Sequence, residues 1–238
     1  MKSNKEVRGE KMIDGNFGYK SGDDDIQNFI PKITVMGVGG AGCNAVNNMI
    51  AQGIDGVDFI VANTDAQSLL QSKAPKKIQL GKQTTKGFGA GSRPEVGQKA
   101  AEESSSEITD AIKNANILFL TAGMGGGTGS GAMPVIAELA REKGILTVAI
   151  ITTPFEFEGK KKEKIAREAL ERLVPNVDSY IVLPNQNLYR VVDKQMTFLN
   201  AFKVSDNVLY EGVRNITDLI RIPGTINLDF ADIRAVME

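Results

Sequence analysis

The chain has 238 residues, with 28 Lys+Arg against 29 Asp+Glu and a net charge of −1, a balance that excludes a strong electrostatic drive toward nucleic acid or an anionic membrane. It contains no His and a single Cys, Cys43, which excludes disulfide frameworks, the common zinc sites and Ser-His-Asp or Cys-His catalysis. Any chemistry falls to carboxylates, amides, hydroxyls, Lys/Arg or a hard metal ion.

Residues 1–30 are polar, mixed in charge and without periodicity, and read as a disordered arm. The opening hexapeptide Met1 to Glu6 has no apolar core of a secretory signal, and apolar runs such as 145–151 are too short to span a bilayer, so a cytoplasmic location is expected. The pattern then changes. Residues 32–38 read as a buried strand, 44–51 as a helix with Val46, Met49 and Ile50 on one face, and 57–62 as a second strand. A short helix around Ser68 and a strand at 77–80 follow, then a Gly-rich loop over 81–93. Pro94 opens a helix expected to run to about residue 114, since Pro is favoured in a first helical turn. Strands at 117–120, 145–151 and 180–183 alternate with helices at 130–143 and 160–173, and one long helix is expected within 194–220. Continuously apolar strands alternating with helices predict an α/β fold with a doubly wound, mostly parallel sheet and a long C-terminal helix.

Two glycine loops carry the chemistry. Gly37-Val38-Gly39-Gly40-Ala41-Gly42 follows the first strand and fits G-x-G-x-x-G, so a dinucleotide fold is one reading and a tight ligand-free turn another. Gly123-Met124-Gly125-Gly126-Gly127-Thr128-Gly129-Ser130-Gly131 also follows an apolar strand and opens a helix. Helix N-termini present unpaired N–H groups and a positive dipole, which suits phosphate. Two such loops at the carboxyl ends of parallel strands converge on one crevice and suit a polyphosphate. No Walker P-loop is present: Gly81-Lys82 and Gly159-Lys160 are not followed by Ser or Thr. Phosphate charge would be met by amides, dipoles and Mg²⁺.

The second loop resembles the tubulin signature G-G-G-T-G-[ST]-G in the form used by the FtsZ family of bacterial cell-division GTPases. The resemblance extends through Gly37 to Asn44, Ala62 to Gln67, Gly87 to Gly97, Pro154 to Lys161 and Gly224 to Met237, and so covers nearly everything from about Pro31 onward. Its first loop, with Ala41, is similar to alphaproteobacterial members. The resemblance implies that Gly39, Gly40, Ala41 and Gly125, Gly126, Gly127, Thr128 and Gly129 hold GTP or GDP phosphates, with Gly42 and Cys43 in the same binding set. It implies that Ala90 and Gly91 lie against the γ-phosphate, that Asn44, Asn185 and Asp206 read guanine, that Phe202 packs on its ring, and that Glu158 contacts ribose. Asn227, Asp229 and Asp232 would form a catalytic loop that enters the pocket of the next subunit. Lys162 stands where the family usually has a nucleotide-contacting Arg; it keeps the charge and loses the planar fork. No protein metal site is implied, Mg²⁺ being carried by phosphates and water.

From the residues alone, other readings stay open. Asn44 is also a plain helix-start residue, Asn185 a cap, Asn227 with Asp229 an N-cap and first-turn acid, and 160–164 a solvated helix face. The expected organisation is the arm over 1–30, a GTP-binding domain over 31–220, and over 221–238 the catalytic loop and the start of a second domain that the chain leaves incomplete. The resemblance implies a head-to-tail homopolymer at the mid-cell division ring, with division-ring partners bound through a C-terminal tail and neither nucleic acid nor membrane bound directly. A nicotinamide-dependent oxidoreductase using 37–42 and an acid near the second strand is one alternative. A module that binds nucleotide without hydrolysing it is another.

Overall fold

The computed structural model describes residues 31–191, 197–221 and 230–237. The expected arm over 1–30 and two of the expected catalytic residues, Asn227 and Asp229, lie outside the described residues. Six strands, β1 (Ile33–Val38), β2 (Val57–Asn63), β3 (Lys76–Gln79), β4 (Ile117–Gly123), β5 (Leu146–Thr153) and β6 (Ser179–Pro184), form one sheet in the order β3-β2-β1-β4-β5-β6. Every neighbouring pair is parallel. This is the strand order of dinucleotide-binding folds, with its reversal point between β1 and β4.

The central strands β1 and β4 are buried along nearly their whole length because both faces are covered, whereas the edge strands β3 and β6 are partly exposed. Along β1, Ile33 and Val35 point to one face while Met36 and Val38 point to the other; along β4, Ile117 and Phe119 oppose Leu118 and Leu120. The first face is closed by helices α1 (Gly39–Gln52), α2 (Ala66–Gln71), α9 (Phe198–Arg221) and α10 (Phe230–Met237), through Val46, Met49, Leu69, Leu209, Val213 and Ile233. The second is closed by α4 (Pro94–Glu103), α5 (Ser105–Ile112), α6 (Thr128–Glu142) and α7 (Lys160–Leu173), through Ala100, Ile108, Ile136, Ala166 and Leu173. Fully burying each large side chain contributes about 1.5–3 kcal/mol.

Four elements differ from the sequence expectation. Helix α1 begins at Gly39, inside the glycine loop, and not at Asn44. A four-residue helix, α3 (Lys82–Thr85), sits in the expected loop, where Gln83 and Thr84 amides donate to the Glu103 carboxylate at 2.8 and 2.9 Å. The long helix expected after Pro94 is two helices, because Ser104 leaves helical geometry and its hydroxyl accepts from the Gly81 amide at 2.9 Å. A further helix, α8 (Asn185–Val191), follows β6 directly. No helix among the described residues is long and apolar enough to cross a membrane.

Candidate functional site

Because β1 and β4 are adjacent and parallel, the two glycine loops leave the same end of the sheet side by side. The helices they open diverge to opposite faces, α1 to one and α6 to the other. A cleft of about 430 Å³ opens between them.

Close backbone approach dictates the glycines here. A Cβ on Gly37 would strike the Gly42 carbonyl, and one on Gly42 would lie 2.5 Å from the Thr121 carbonyl oxygen, so strand and helix meet with no side chain between them. Gly39 takes φ +72° with its α-carbon facing the Gly129 amide and Thr128 Cβ, which brings the two loops into contact. Gly125 takes φ +102° under Pro154 and Lys162. Neither α1 nor α6 has a side-chain N-cap, so their first amides face the cleft without one. Two positive helix ends thus point into one crevice, an arrangement suited to a multiply charged anion.

The second loop is braced from behind. The Gly125 amide donates to Ser130 Oγ at 2.8 Å, so that amide is already engaged within the loop. Pro134 sits inside α6 and has no N–H to offer the Ser130 carbonyl one turn back. Arg172 of α7 supplies the missing donor, with Nη2 3.3 Å from Ser130 O and Nη1 3.1 Å from Gln98 Oε1.

The other end of the cleft is built by α8 and α9. Asn185 is buried, and its Oδ1 accepts from Ser205 Oγ at 2.8 Å, which fixes the amide so that its NH₂ remains a donor. Asp206 lines the cleft beside Phe202, and burial pushes its carboxyl up to about 6. Phe155 packs edge-on to Phe202 with centroids 5.4 Å apart and stacks on Phe157 at 4.9 Å. At the mouth, Glu158 Oε1 accepts from the Phe155 amide at 3.0 Å while Oε2 pairs with Lys162 Nζ at 2.8 Å.

The cleft therefore gathers Gly39, Gly40, Ala41, Asn44, Gly125, Gly126, Gly127, Thr128, Gly129, Glu158, Lys162, Asn185, Phe202 and Asp206. Gly42 and Cys43 do not line it. Cys43 turns into the core, 3.8 Å from Asn63 Nδ2, and burial pushes its thiol up to about 11. Ala90 and Gly91 also lie outside the lining; Ala90 instead covers the back of Gly127. Asp232 is remote. Its helix is anchored where Ile233 joins the core and Arg234 Nη2 reaches the Gly144 carbonyl at 3.3 Å, just before β5 starts. The cleft lies at the far end of that strand, about 25 Å away at the usual rise per residue. Sequence reasoning missed Ser205, Ser130, Thr152 and Thr64. Ser205 had one visible signal: it interrupts the apolar stripe that Ala201 and Leu209 make at four-residue spacing on α9.

A sequence model of the tubulin/FtsZ family, GTPase domain, matches residues 32–193. The cell division protein FtsZ of Magnetospirillum gryphiswaldense is 60% identical over 211 residues, covering 89% of this chain and 38% of that protein. FtsZ of Rickettsia conorii is 59% identical over 87% of this chain and 46% of its own length. Among solved structures, an empty FtsZ dimer of M. jannaschii superposes with a TM-score of 0.84 at 45% identity, over 91% of this chain and 64% of that one. CetZ2 of Haloferax volcanii, at 22% identity and a TM-score of 0.71 over 85% of this chain and 61% of that one, shares the fold. The chain spans less than half the length of these two bacterial relatives.

Proposed function

This chain belongs to the tubulin/FtsZ family, matching its GTPase domain, and from that premise we propose that it binds GTP in the cleft and hydrolyses it between two copies stacked head to tail, as part of a division-ring polymer in the bacterial cytoplasm. The observation that carries the reading is the convergence of two uncapped helix N-termini on a cleft whose other end presents Asn185 and Asp206.

Amides of Gly39 to Ala41 and of Gly126 to Gly129 meet the phosphates, with the Thr128 hydroxyl beside them. The Asp206 carboxylate accepts from the two N–H groups on the Watson–Crick edge of guanine, and the oriented Asn185 NH₂ donates to a purine acceptor. Mg²⁺, when bound, would screen the phosphate charge; among the described residues the phosphate end of the lining has the Thr128 hydroxyl and no carboxylate, so phosphate oxygens and water would hold it. Hydrolysis forms a bond from water to the γ-phosphorus, breaks the bond to the β–γ bridging oxygen, and needs a group that orients the water within about 3 Å. Among the described residues the lining carboxylates are Glu158 and Asp206, which this reading gives to ribose and base, and Asp232 lies beyond the far end of β5, so the reading takes the orienting group from a second molecule. An empty FtsZ dimer among the relatives supports self-association. The division into a binding domain over 31–220 and a second-domain lead-in over 221–238 belongs to the same proposal.

A nicotinamide-dependent oxidoreductase is disfavoured by Asp65, the acid nearest the end of β2. Its carboxylate caps α2 through the Gln67 amide at 2.9 Å and the Ser68 hydroxyl at 2.8 Å. Titrating the chain with GTP, ATP and NAD separates the readings: tight GTP binding alone is expected, and NAD binding without GTP binding sinks the proposal. Phosphate release whose specific rate rises with protein concentration separates hydrolysis from binding alone.

A further inference from the structure

Asn63, Thr64 and Asp65, at the carboxyl end of β2, reach helix α1 behind the first glycine loop, the first residue of α6 and the segment after α3. Asn63 reaches Cys43 behind the first glycine loop. Thr64 is fully buried, and its Oγ1 lies 2.6 Å from Thr128 Oγ1, at the first residue of α6. The Thr64 carbonyl accepts from the Gly89 amide at 3.2 Å and from the Thr85 hydroxyl at 3.3 Å. Thr64 therefore joins the phosphate end of α6 to the loop after α3, without itself lining the cleft.

We propose that Thr64 is a positioning residue for phosphate binding: its hydroxyl donates to Thr128 Oγ1 and thereby directs the single Thr128 proton at an oxygen of the bound phosphate. The proposal rests on the guanine-nucleotide reading of the cleft. Each threonine hydroxyl has one proton to give and can accept from others. A phosphate oxygen facing a neutral hydroxyl accepts, so Thr128 donates into the cleft. It then has no proton left for Thr64, and the proton within the 2.6 Å pair belongs to Thr64. That separation is at the short end for O–H···O bonds, and a donated bond polarises the next one in the chain. Burial of Thr64 keeps water from replacing it.

The test is a double-mutant cycle on the full chain, with GTP, GDP and guanosine as probes. Thr64→Val keeps the shape and removes the hydroxyl; it is expected to weaken GTP and GDP about five- to tenfold, the scale of one lost hydrogen bond, and to leave guanosine unchanged. Thr64→Ser restores binding close to wild type. In a Thr128→Val background, Thr64→Val adds no further loss. A loss that is additive with Thr128→Val, or shared by guanosine, means a general packing role and overturns the proposal, as does unchanged GTP and GDP affinity. Circular dichroism checks the fold, and Thr64→Ala, which also lacks the hydroxyl, takes the same place in the cycle if the valine variant is not native. Wild-type chain that binds none of the probes overturns the reading of the cleft and the proposal with it. Wild-type binding with a failed cycle overturns the proposal alone.

Discussion

Lys162 Nζ lies 2.8 Å from Glu158 Oε2, one turn back across the start of α7, and the other oxygen of that carboxylate holds the Phe155 amide. The glutamate is mostly buried, its side chain 15% exposed against 42% for the lysine, so the pair is partly desolvated at the cleft mouth. Lys162 is a point charge paired with Glu158, without the planar fork of an Arg. Glu158→Gln keeps an acceptor for Phe155 and loses the ion pair and the charged acceptor for ribose. It is expected to weaken GTP by about 1.5–3 kcal/mol, the scale of a hydrogen bond to a charged group, and to leave a 2′,3′-dideoxy analogue unaffected. Equal losses for both nucleotides in a binding titration mean that Glu158 does not meet the ribose.

Asp206 sets opposite pH dependences for folding and for binding. Burial raises its carboxyl to about 6 in the folded chain, above the ordinary value near 3.9. The folded state therefore binds more protons than the unfolded state between those values, and this group's contribution to stability grows as pH falls through 6 toward 4. Guanine recognition needs the ionised form, so GTP affinity drops below pH about 6, by up to about tenfold per unit. Asp206→Asn is expected to raise the melting temperature of nucleotide-free protein at pH 7, to weaken GTP by about 2–3 kcal/mol, to shift preference toward xanthosine triphosphate, and to abolish the acid step. Melting curves and titrations at pH 5, 6 and 7 check all four; unchanged GTP affinity removes Asp206 from the guanine site.

Adjacent glycines of the second loop separate binding from folding. A Cβ on Gly126 meets nothing within 4 Å, whereas one on Gly127 lies 2.8 Å from both Ala90 Cβ and the Arg93 amide. Gly126→Val places its side chain where amides approach phosphate, so GTP binding is lost while the circular dichroism and melting temperature stay native. Gly127→Val loses binding too, and also forces the 90–93 loop outward at a cost of about 1–3 kcal/mol. A Gly126→Val chain that still binds GTP tightly shows that this loop is not the phosphate cradle.

The parts of the fold legible in the sequence were those fixed by local pattern. The β1 and β4 apolar runs and the glycines after them are contiguous, and in a parallel sheet they had to meet at one end. Segments decided by distant partners were not legible. The apolar spacing of Ala100, Ala101, Ile108 and Ile112 continues across Ser104, and only the Gly81 amide bound to its hydroxyl marks the break between α4 and α5. Helix α1 starts in glycines, which are poor helix formers, because the first turn is held by packing against β1 and β4 and not by propensity. Asn44, Glu158, Asn185, Phe202 and Asp206, four of them on the second half of the chain, came from the family resemblance, and the structure gathers them in one cleft. Thr64 and Ser205 escaped notice because a lone buried hydroxyl acquires meaning only from the atom opposite it.

The remoteness of α10 from the cleft yields the last prediction. Ile233 and Arg234 fix that helix near the amino ends of the strands, while both glycine loops open at the carboxyl ends. From there Asp232 does not reach a γ-phosphate bound in its own cleft; in the proposed head-to-tail stack a copy would present this pole to the neighbour's cleft. Such a contact is heterologous, with pocket and carboxylate contributed by different chains. Gly126→Val destroys the pocket and keeps the acidic segment; Asp232→Ala does the reverse. Each alone is expected to be nearly inactive. Mixed in equal amounts, roughly a quarter of random head-to-tail contacts pair an intact pocket with an intact acidic segment, so activity returns to about that fraction of wild type. The measurement is phosphate release at high protein concentration with Mg²⁺, for each variant alone and for the mixture. Specific rates independent of concentration, together with a mixture no more active than its parts, place the aspartate in its own molecule's reaction or outside the reaction altogether.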